Sequence, residues 1–342
     1  MSAPPIDIAG SGGVMLGLRV VCDGFLSDYP VRAQSHVHDD HMRDFNRSKG
    51  FQNIYMLPAT RKLLESEFNA DLPYRDNLFD VPSGETSEVP EGKLTLVKNG
   101  HMLGSAQVVV ELDSGTRLGY SGDFQWPMED PIEVDALVLD STYGSPNSTR
   151  EYEQGEVEAR LIDLVQTRLA EGPVHILSHR GTVQRALQVL NGNVDCPVLG
   201  SKRFIGDAVV YRNFGYAICD VVDSKSPEGR AARKSGRYIQ VYSKGDGDPV
   251  DVGEASSIVL SAFMSSPKDP CMVYSDRSYR LAMSNHADFA GTLAYVEATG
   301  AKYVVTDNVR GPHGVELAME IKARLGIEAR PSSHDSSPAW GQ

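Results

Sequence analysis

Ser35-His36-Val37-His38-Asp39-Asp40-His41 holds three of the chain's nine histidines beside two aspartates. It follows a segment that reads as strand and turn. On an extended backbone His36 and His38 point to the same side. Asp40 and His41 come where the chain turns toward a helix. One short loop can therefore offer two imidazoles to one metal, and a carboxylate plus an imidazole to a neighbouring metal. Such donors suit zinc, and also manganese or iron. The competing reading is a surface loop with unrelated histidines.

Further candidate ligands follow in order. His101 lies in Asn99-Gly100-His101-Met102-Leu103-Gly104-Ser105, after a strand and flanked by glycines. Asp123 lies in Tyr120-Ser121-Gly122-Asp123-Phe124, at another strand end, where a carboxylate could bridge two metals. Either residue alone would be an ordinary turn residue, and the earlier cluster gives them meaning.

The pattern HxHxDH, then GH, then GD resembles the ligand order of the metallo-β-lactamase superfamily. Val21-Cys22-Asp23-Gly24-Phe25 looks like its first acidic motif, whose Asp supports the ligand loop. Leu139-Asp140-Ser141-Thr142-Tyr143-Gly144 and Ser284-Asn285-His286-Ala287-Asp288-Phe289 resemble motifs A and B of the β-CASP group, the nucleic-acid-processing members. The resemblance runs from about Asp23 to Leu325. The first ligand loop is similar to DNA cross-link repair nucleases and Artemis. Gly100 to Ser105 and Ser284 to Asp288 are more like RNA 3′-end processing enzymes and bacterial ligase-associated DNA exonucleases. The tract from His286 through Ala298-Thr299-Gly300-Ala301 to Val305-Thr306 is similar to the last group.

This resemblance implies an α/β fold, an αββα sandwich of two mixed sheets with helices outside and a β-CASP domain inserted. The expected bounds are 1–144 with 271–330 for the sandwich, 145–270 for the insertion and 331–342 for a disordered Ser- and Pro-rich tail. Substrate is expected between the two domains. It also implies two divalent ions, zinc or manganese. His36, His38 and His101 would hold the first, Asp40 and His41 the second, with Asp123 bridging. His286 would be a general acid oriented by Asp140. Against this, His286 could merely start a helix and Asp140 merely cap a turn. RNA-type relatives and the ligase-associated exonucleases place a His after the strand that here is Tyr303-Val304-Val305-Thr306. Asp307 stands there instead, and is expected to complete the second site, with His313 in Gly311-Pro312-His313-Gly314 as alternative. Neither binding is the third possibility.

Other residues bear on substrate. Ser178-His179-Arg180-Gly181-Thr182 sits between a strand and a helix, where free N–H groups bind phosphate and Arg180 adds charge. Ser, Gly and Thr at such turns also serve as plain caps. Arg230, Arg233, Lys234, Arg237 and Lys244 form a basic stretch, a nucleic-acid surface or a solvated loop. The net charge of −13 argues weakly against a polyanionic partner, because bound dications offset ligand carboxylates and a local basic surface matters more than the sum.

The expected function is a DNA nuclease of repair or defence, DNA preferred over RNA, with protein partners of such a complex. An RNA 3′-end nuclease, a small-molecule hydrolase and a non-catalytic scaffold are the rivals. The chain has 342 residues, 41% hydrophobic and 23% charged, enough for two domains. No apolar run approaches a membrane span, and no membrane role or signal peptide is expected. Cys22, Cys196, Cys219 and Cys271 form no CxxC pair and read as reduced thiols of a cytoplasmic protein. Strands are expected at Val14–Cys22, Leu94–Lys98, Gln107–Leu112, Arg117–Tyr120, Ala136–Leu139, Val174–Leu177, Ser257–Leu260 and Tyr303–Thr306. Helices are expected at Thr60–Phe68, Glu151–Leu169, Thr182–Leu190, Phe289–Thr299 and Val315–Leu325.

Overall fold

The computed structural model describes residues 4–68, 71–243, 254–262 and 266–335. The chain forms two compact units, Met1–Thr149 with His286–Gln342, and Arg150–Asn285.

The first unit opens with β1 (Ile6–Ile8), β2 (Val14–Leu16), β3 (Val20–Cys22), β4 (Val31–Gln34), α1 (Phe45–Phe51), β5 (Asn53–Met56), α2 (Pro58–Phe68) and β6 (Leu78–Asp80). The strands form one sheet in that order, antiparallel up to β3 and parallel from β3 to β6. Val14–Cys22 is thus two strands, not one. The break is at Gly17, with φ +78°, where a Cβ would lie 2.3 Å from Glu91 Oε1. That carboxylate accepts from Leu18 N at 2.8 Å and Arg19 N at 2.7 Å, capping the turn from a distant loop.

A second sheet follows from β7 (Thr86–Val89), β8 (Gly92–Lys98), β9 (Ala106–Leu112), β10 (Arg117–Tyr120) and β11 (Ala136–Leu139). The chain leaves for the second unit and returns as α7 (Phe289–Thr299), β19 (Tyr303–Thr306), α8 (Gly314–Leu325) and β20 (Glu328–Pro331). The order is β20-β19-β11-β10-β9-β8-β7, with β10, β11, β19 and β20 parallel. Strand alternation divides the side chains between two cores. Leu94, Leu96, Val108, Val110, Leu118 and Val138 meet Ile8, Val14, Leu16, Val31 and Ala33 of the first sheet. On the other face Val109, Leu137, Leu139 and Val304 meet Phe289, Tyr295 and Val296 of α7 and Leu317 and Ile321 of α8. At the first sheet α1 packs on β5. This is the α/β metallo-β-lactamase sandwich.

The intervening unit contains α3 (Gln154–Leu169), β12 (Val174–Ser178), α4 (Thr182–Leu190), β13 (Val198–Gly200), α5 (Lys202–Asn213), β14 (Val221–Asp223), α6 (Pro227–Ser235), β15 (Ile239–Ser243), β16 (Ser256–Leu260), β17 (Cys271–Ser275) and β18 (Ser278–Leu281). Its sheet runs β14-β13-β15-β12-β16-β18-β17. The return to the sandwich was expected at 271. Instead β17 pairs with β18, and β18 extends this third sheet beside β16, so the unit reaches Asn285.

The tail also differs from expectation over 331–335. Pro331 ends β20, Ser332 N donates to Thr306 O at 2.9 Å, and Ser333 N donates to Asp7 Oδ1 at 3.0 Å. Residues 336–342 and Lys244 lie outside the described residues.

Candidate metal centre

The candidate residues lie on loops that leave the C-terminal ends of strands, the parallel-paired β4, β10 and β11 and the antiparallel-paired β8. His36, His38, Asp40 and His41 follow β4, His101 follows β8, Asp123 follows β10, and Asp140 follows β11. The loops are tied to one another. Ser35 O accepts from Ala106 N at 3.0 Å. Asn99 donates to Ser121 O at 2.9 Å and Asp123 O at 2.7 Å, and its Oδ1 accepts from His101 N at 3.3 Å. Gly122 lets Asp123 pass close, with φ +56° and a Cβ position only 2.6 Å from Ala106 O.

Four donor atoms converge from these loops. His38 Nδ1 lies 3.0 Å from His36 Nε2 and 3.2 Å from His101 Nε2. Asp123 Oδ2 lies 3.5 Å from His36 Nε2 and 3.7 Å from His101 Nε2. Tetrahedral zinc with bonds of ~2.0–2.1 Å holds its ligand atoms about 3.3 Å apart, so these four fit one ion. Asp123 Oδ1 faces a second position, 3.2 Å from His41 Nε2, and Asp40 Oδ2 lies 3.5 Å from the same nitrogen. His41 Nε2 is buried and makes no hydrogen bond of adequate geometry. Among the described residues Asp40 joins no group of donors close enough together to share an ion, so Asp40 would have to move for these three residues to hold one.

Outer partners fix the tautomers. His41 Nδ1 is 2.8 Å from Asp23 Oδ2, which leaves Nε2 as the ligand atom. Asp23 also accepts from Ser35 N at 2.7 Å and Ser35 Oγ at 2.5 Å, which ties it to the ligand loop, and with His36 and His41 it forms a further group close enough together to share an ion. Ser35 Oγ is 2.9 Å from His36 Nδ1. Burial, then His41 and His38, push the His36 imidazole well below its ordinary range, keeping it neutral and able to ligate. Burial would discharge His41, but Asp123 and Asp40 outweigh it and raise its pKa well above normal. Asp123 is buried, yet His41, His286 and His36 hold it well below the usual carboxylate range.

No family model matches the chain. An Acidianus ambivalens protein, "Uncharacterized protein in lig 3′region", is 36% identical over 115 residues, 33% of this chain and 81% of that protein. The "RNase J-like protein" of Methanocaldococcus jannaschii is 26% identical over 212 residues, 53% of this chain and 49% of that protein. The "Transcription termination factor FttA" of Pyrococcus abyssi is 30% identical over 205 residues, 48% of this chain and 31% of that protein. The fold is metallo-β-lactamase-like, and these similarities support that superfamily. The chain spans about half the length of the first of these two named relatives and a third of the second. A crystal structure of an Enterococcus faecalis V583 protein of unknown function superposes with a TM-score of 0.58 at 14% identity, covering 92% of this chain and 82% of that one, and shares the fold.

Two further sequence candidates meet in the structure. His286 Nδ1 is 3.0 Å from Asp140 Oδ2, and His286 Nε2 is 3.9 Å from Asp123 Oδ2. Burial opposes charge on His286, but the hydrogen bond and charge of Asp140, with Asp123 and Asp40, raise its pKa. Asp140 Oδ1 accepts from Thr142 N and Thr142 Oγ1, both at 2.8 Å. Asp140 thus meets Thr142 through one oxygen and His286 through the other.

Asp307 does not join the cluster. Its Oδ1 accepts from Val309 N at 2.8 Å and Arg310 N at 2.9 Å, and its Oδ2 is paired with Arg310 Nη1 at 2.8 Å. An Asx turn and a buried ion pair occupy both oxygens. The alternative, His313, precedes α8 with Nδ1 3.6 Å from Glu316 Oε2, and it too is outside the cluster. The expectation that Asp307 completes the second position is corrected accordingly.

The second unit changes the reading of Arg180. It is buried, donating to Asp207 through Nε at 2.9 Å and Nη2 at 2.6 Å. Gln184 Nε2 adds 2.9 Å to the same carboxylate. The guanidinium is committed to a structural pair and is not displayed to a phosphate. Ser178 Oγ donates to Leu260 O at 3.0 Å, and His179 is exposed. In the basic stretch Arg233 Nη2 donates to Gln240 Oε1 at 3.0 Å and Arg237 donates to Asp195 O.

Residues not anticipated from sequence hold the ligand loop. Buried Arg32 donates to His41 O at 2.9 Å, Arg43 O at 2.9 Å and Ser48 Oγ at 2.8 Å. Gln34 donates to His36 O at 2.6 Å and His41 O at 3.1 Å. A buried Arg and Gln alternating in a strand before a histidine loop were the available signal.

Proposed function

We propose that the protein is a metal-dependent phosphodiesterase that cleaves nucleic acid, with RNA as the first substrate class. The observation that carries this is the convergence of His36, His38, His101 and Asp123 on one point, with the His286–Asp140 pair facing the same Asp123 oxygen. His36, His38, His101 and Asp123 would hold one divalent ion, and Asp40, His41 and Asp123 a second, zinc or manganese. Such ions supply water of lowered pKa and neutralise phosphate charge. His286, held protonated by Asp140, donates a proton from Nε2 to the leaving oxygen. The unit between β11 and α7 takes the place of the β-CASP insertion.

RNA comes first because the named relatives are an RNase J-like protein and a transcription termination factor. DNA, the substrate expected from sequence, is a second reading. It is supported by the Acidianus relative, whose name places it in a lig 3′ region. End-labelled RNA and DNA strands of one sequence, with Mn²⁺ or Zn²⁺ and a chelator control, decide between them. Metal-dependent cutting of RNA is expected. Cutting of DNA alone installs the second reading, and cutting of neither ends the proposal. Among the described residues no helix is long and apolar enough to cross a membrane.

A further inference from the structure

We propose that Ser121 is a positioning residue for the proposed reaction: its hydroxyl, inserted between β10 and β11, sets the spacing of Asp123 and Asp140 and so holds the His286 imidazole between them. The inference rests on the reading of His286 as proton donor and deepens it.

β10 and β11 are parallel neighbours, with Tyr120 beside Val138. In a parallel ladder a residue donates to one residue of the neighbouring strand and accepts from the residue two further on. Ser121 N donates to Val138 O at 3.0 Å, so the next rung would run from Asp140 N to Ser121 O. That rung is displaced. Asp140 N donates instead to Ser121 Oγ at 3.0 Å, and the Ser121 carbonyl accepts from Asn99 Nδ2 at 2.9 Å. The hydroxyl in turn donates to Gly122 O at 2.7 Å, so it is used as donor and as acceptor. Ser121 is fully buried. On the other edge of β11 the ladder runs on, with Asp307 N donating to Leu139 O at 2.9 Å. The strands are therefore parted on the β10 side, at the point where Asp123 and Asp140 leave them.

The His286 ring spans this gap, with Nδ1 3.0 Å from Asp140 Oδ2 and Nε2 3.9 Å from Asp123 Oδ2. The ring is rigid, so the separation of the two carboxylates decides whether both contacts are made. His286 is already tied to the Asp123 loop, because Ala287 N donates to Phe124 O at 2.7 Å. Asp140 is the member whose placement depends on Ser121. Its Oδ1 is fixed locally by Thr142 N and Oγ1, which leaves the backbone at Asp140 to set where Oδ2 lies. Without the hydroxyl, Asp140 N can close onto Ser121 O. The gap narrows, and Oδ2 shifts relative to the imidazole it orients.

Such a shift impairs proton transfer and leaves metal in place. Ser121→Ala should keep its metal and lower kcat by ~10–100-fold, a part of the ~10²–10⁴-fold that general acid catalysis contributes. The test uses the full chain with Mn²⁺ and an end-labelled strand of the nucleic acid that the parent cuts. The strand is made all-oxygen, and with sulfur in place of the 3′ or the 5′ bridging oxygen at the phosphate the parent cuts first. A thiolate leaves without protonation, so one sulfur strand bypasses the acid. His286→Ala sets the scale: slow on the all-oxygen strand, near the parent on one sulfur strand. Ser121→Ala should show the same selectivity at smaller size. An unchanged rate, equal losses on oxygen and sulfur strands, or metal lost by elemental analysis overturns the inference and leaves the reading of His286 intact. A His286→Ala equally slow on all three strands, or a parent that cuts none, overturns both. If Ser121→Ala fails to fold, Ser121→Cys, which nearly keeps the volume and weakens both hydrogen bonds, carries the comparison with the same outcomes.

Discussion

Asp23→Asn should invert the tautomer of His41 and thereby weaken the second metal position. Asp23 Oδ2 accepts from Ser35 Oγ at 2.5 Å and from His41 Nδ1 at 2.8 Å, while Oδ1 accepts from Ser35 N at 2.7 Å. The backbone amide of Ser35 requires an acceptor, so the Asn oxygen takes the Oδ1 place. Its NH₂ then faces His41 Nδ1, and two donors cannot share that contact. His41 moves its proton to Nε2, the atom 3.2 Å from Asp123 Oδ1 and 3.5 Å from Asp40 Oδ2. The ligand lone pair is replaced by an N–H that those carboxylates accept. Loss of such an outer partner costs about 10–100-fold in metal affinity, or ~1.4–2.7 kcal/mol at 1.4 kcal/mol per decade. Asn keeps the size of Asp and tolerates the φ of +54° at this position, so the fold should survive. Zn²⁺ titration measures the affinity, and ¹⁵N chemical shifts of the His41 ring, read at a pH where the ring has lost its second proton, report the tautomer. An unchanged tautomer with unchanged second-site affinity would falsify the relay.

Asp140→Asn removes the hydrogen bond and charge that raise the His286 pKa. The protonated acid then persists to a lower pH only, so the alkaline limb of the kcat–pH profile should move down in pH; an unmoved limb removes Asp140 from the proton path. Arg180→Ala breaks a pair buried on both sides. It should cost ~3–5 kcal/mol, read as a lowered unfolding midpoint, and an unchanged midpoint would return Arg180 to the candidates for substrate contact. Gly122→Ala forces a Cβ to 2.6 Å from Ala106 O at a positive φ. It should displace Asp123 and abolish stoichiometric metal, and full metal content by elemental analysis would refute the claim that this approach positions the ligand.

Much of the centre was legible because ligand geometry and strand geometry share a simple period. His36 and His38 sit two apart after β4, and His101, Asp123 and Asp140 each follow a strand whose apolar run marks it in sequence. Phe289–Thr299 and Tyr303–Thr306 were readable as elements for the same reason. The misreadings were of side-chain partners. Asp307 occupies the expected place after β19, but its oxygens are taken by residues two and three positions on. Arg180 looked like a phosphate contact because Asp207, 27 residues away, carries no local sign of pairing with it. The Glu91 cap on the β2–β3 turn was hidden likewise, as was the pairing that draws Cys271–Ser275 into the third sheet.

The parallel pairing of β11 with β19 has a consequence for how the molecule is made. Leu139 lies beside Thr306 in register, yet the whole second unit is synthesised between them. While that unit emerges, β11 presents an unpaired edge, and Leu137 and Leu139 wait for the helices that will cover them. Exposed edges and apolar faces of this kind invite association between nascent chains. Long-range pairing is also slow, so joining β19 to β11 should come late in the folding of the first unit. The ligand loops before Asp140 are complete much earlier, but His286 arrives only with the returning segment. On the proposed reading, a nascent chain would gather its metal ligands before its proposed proton donor arrives.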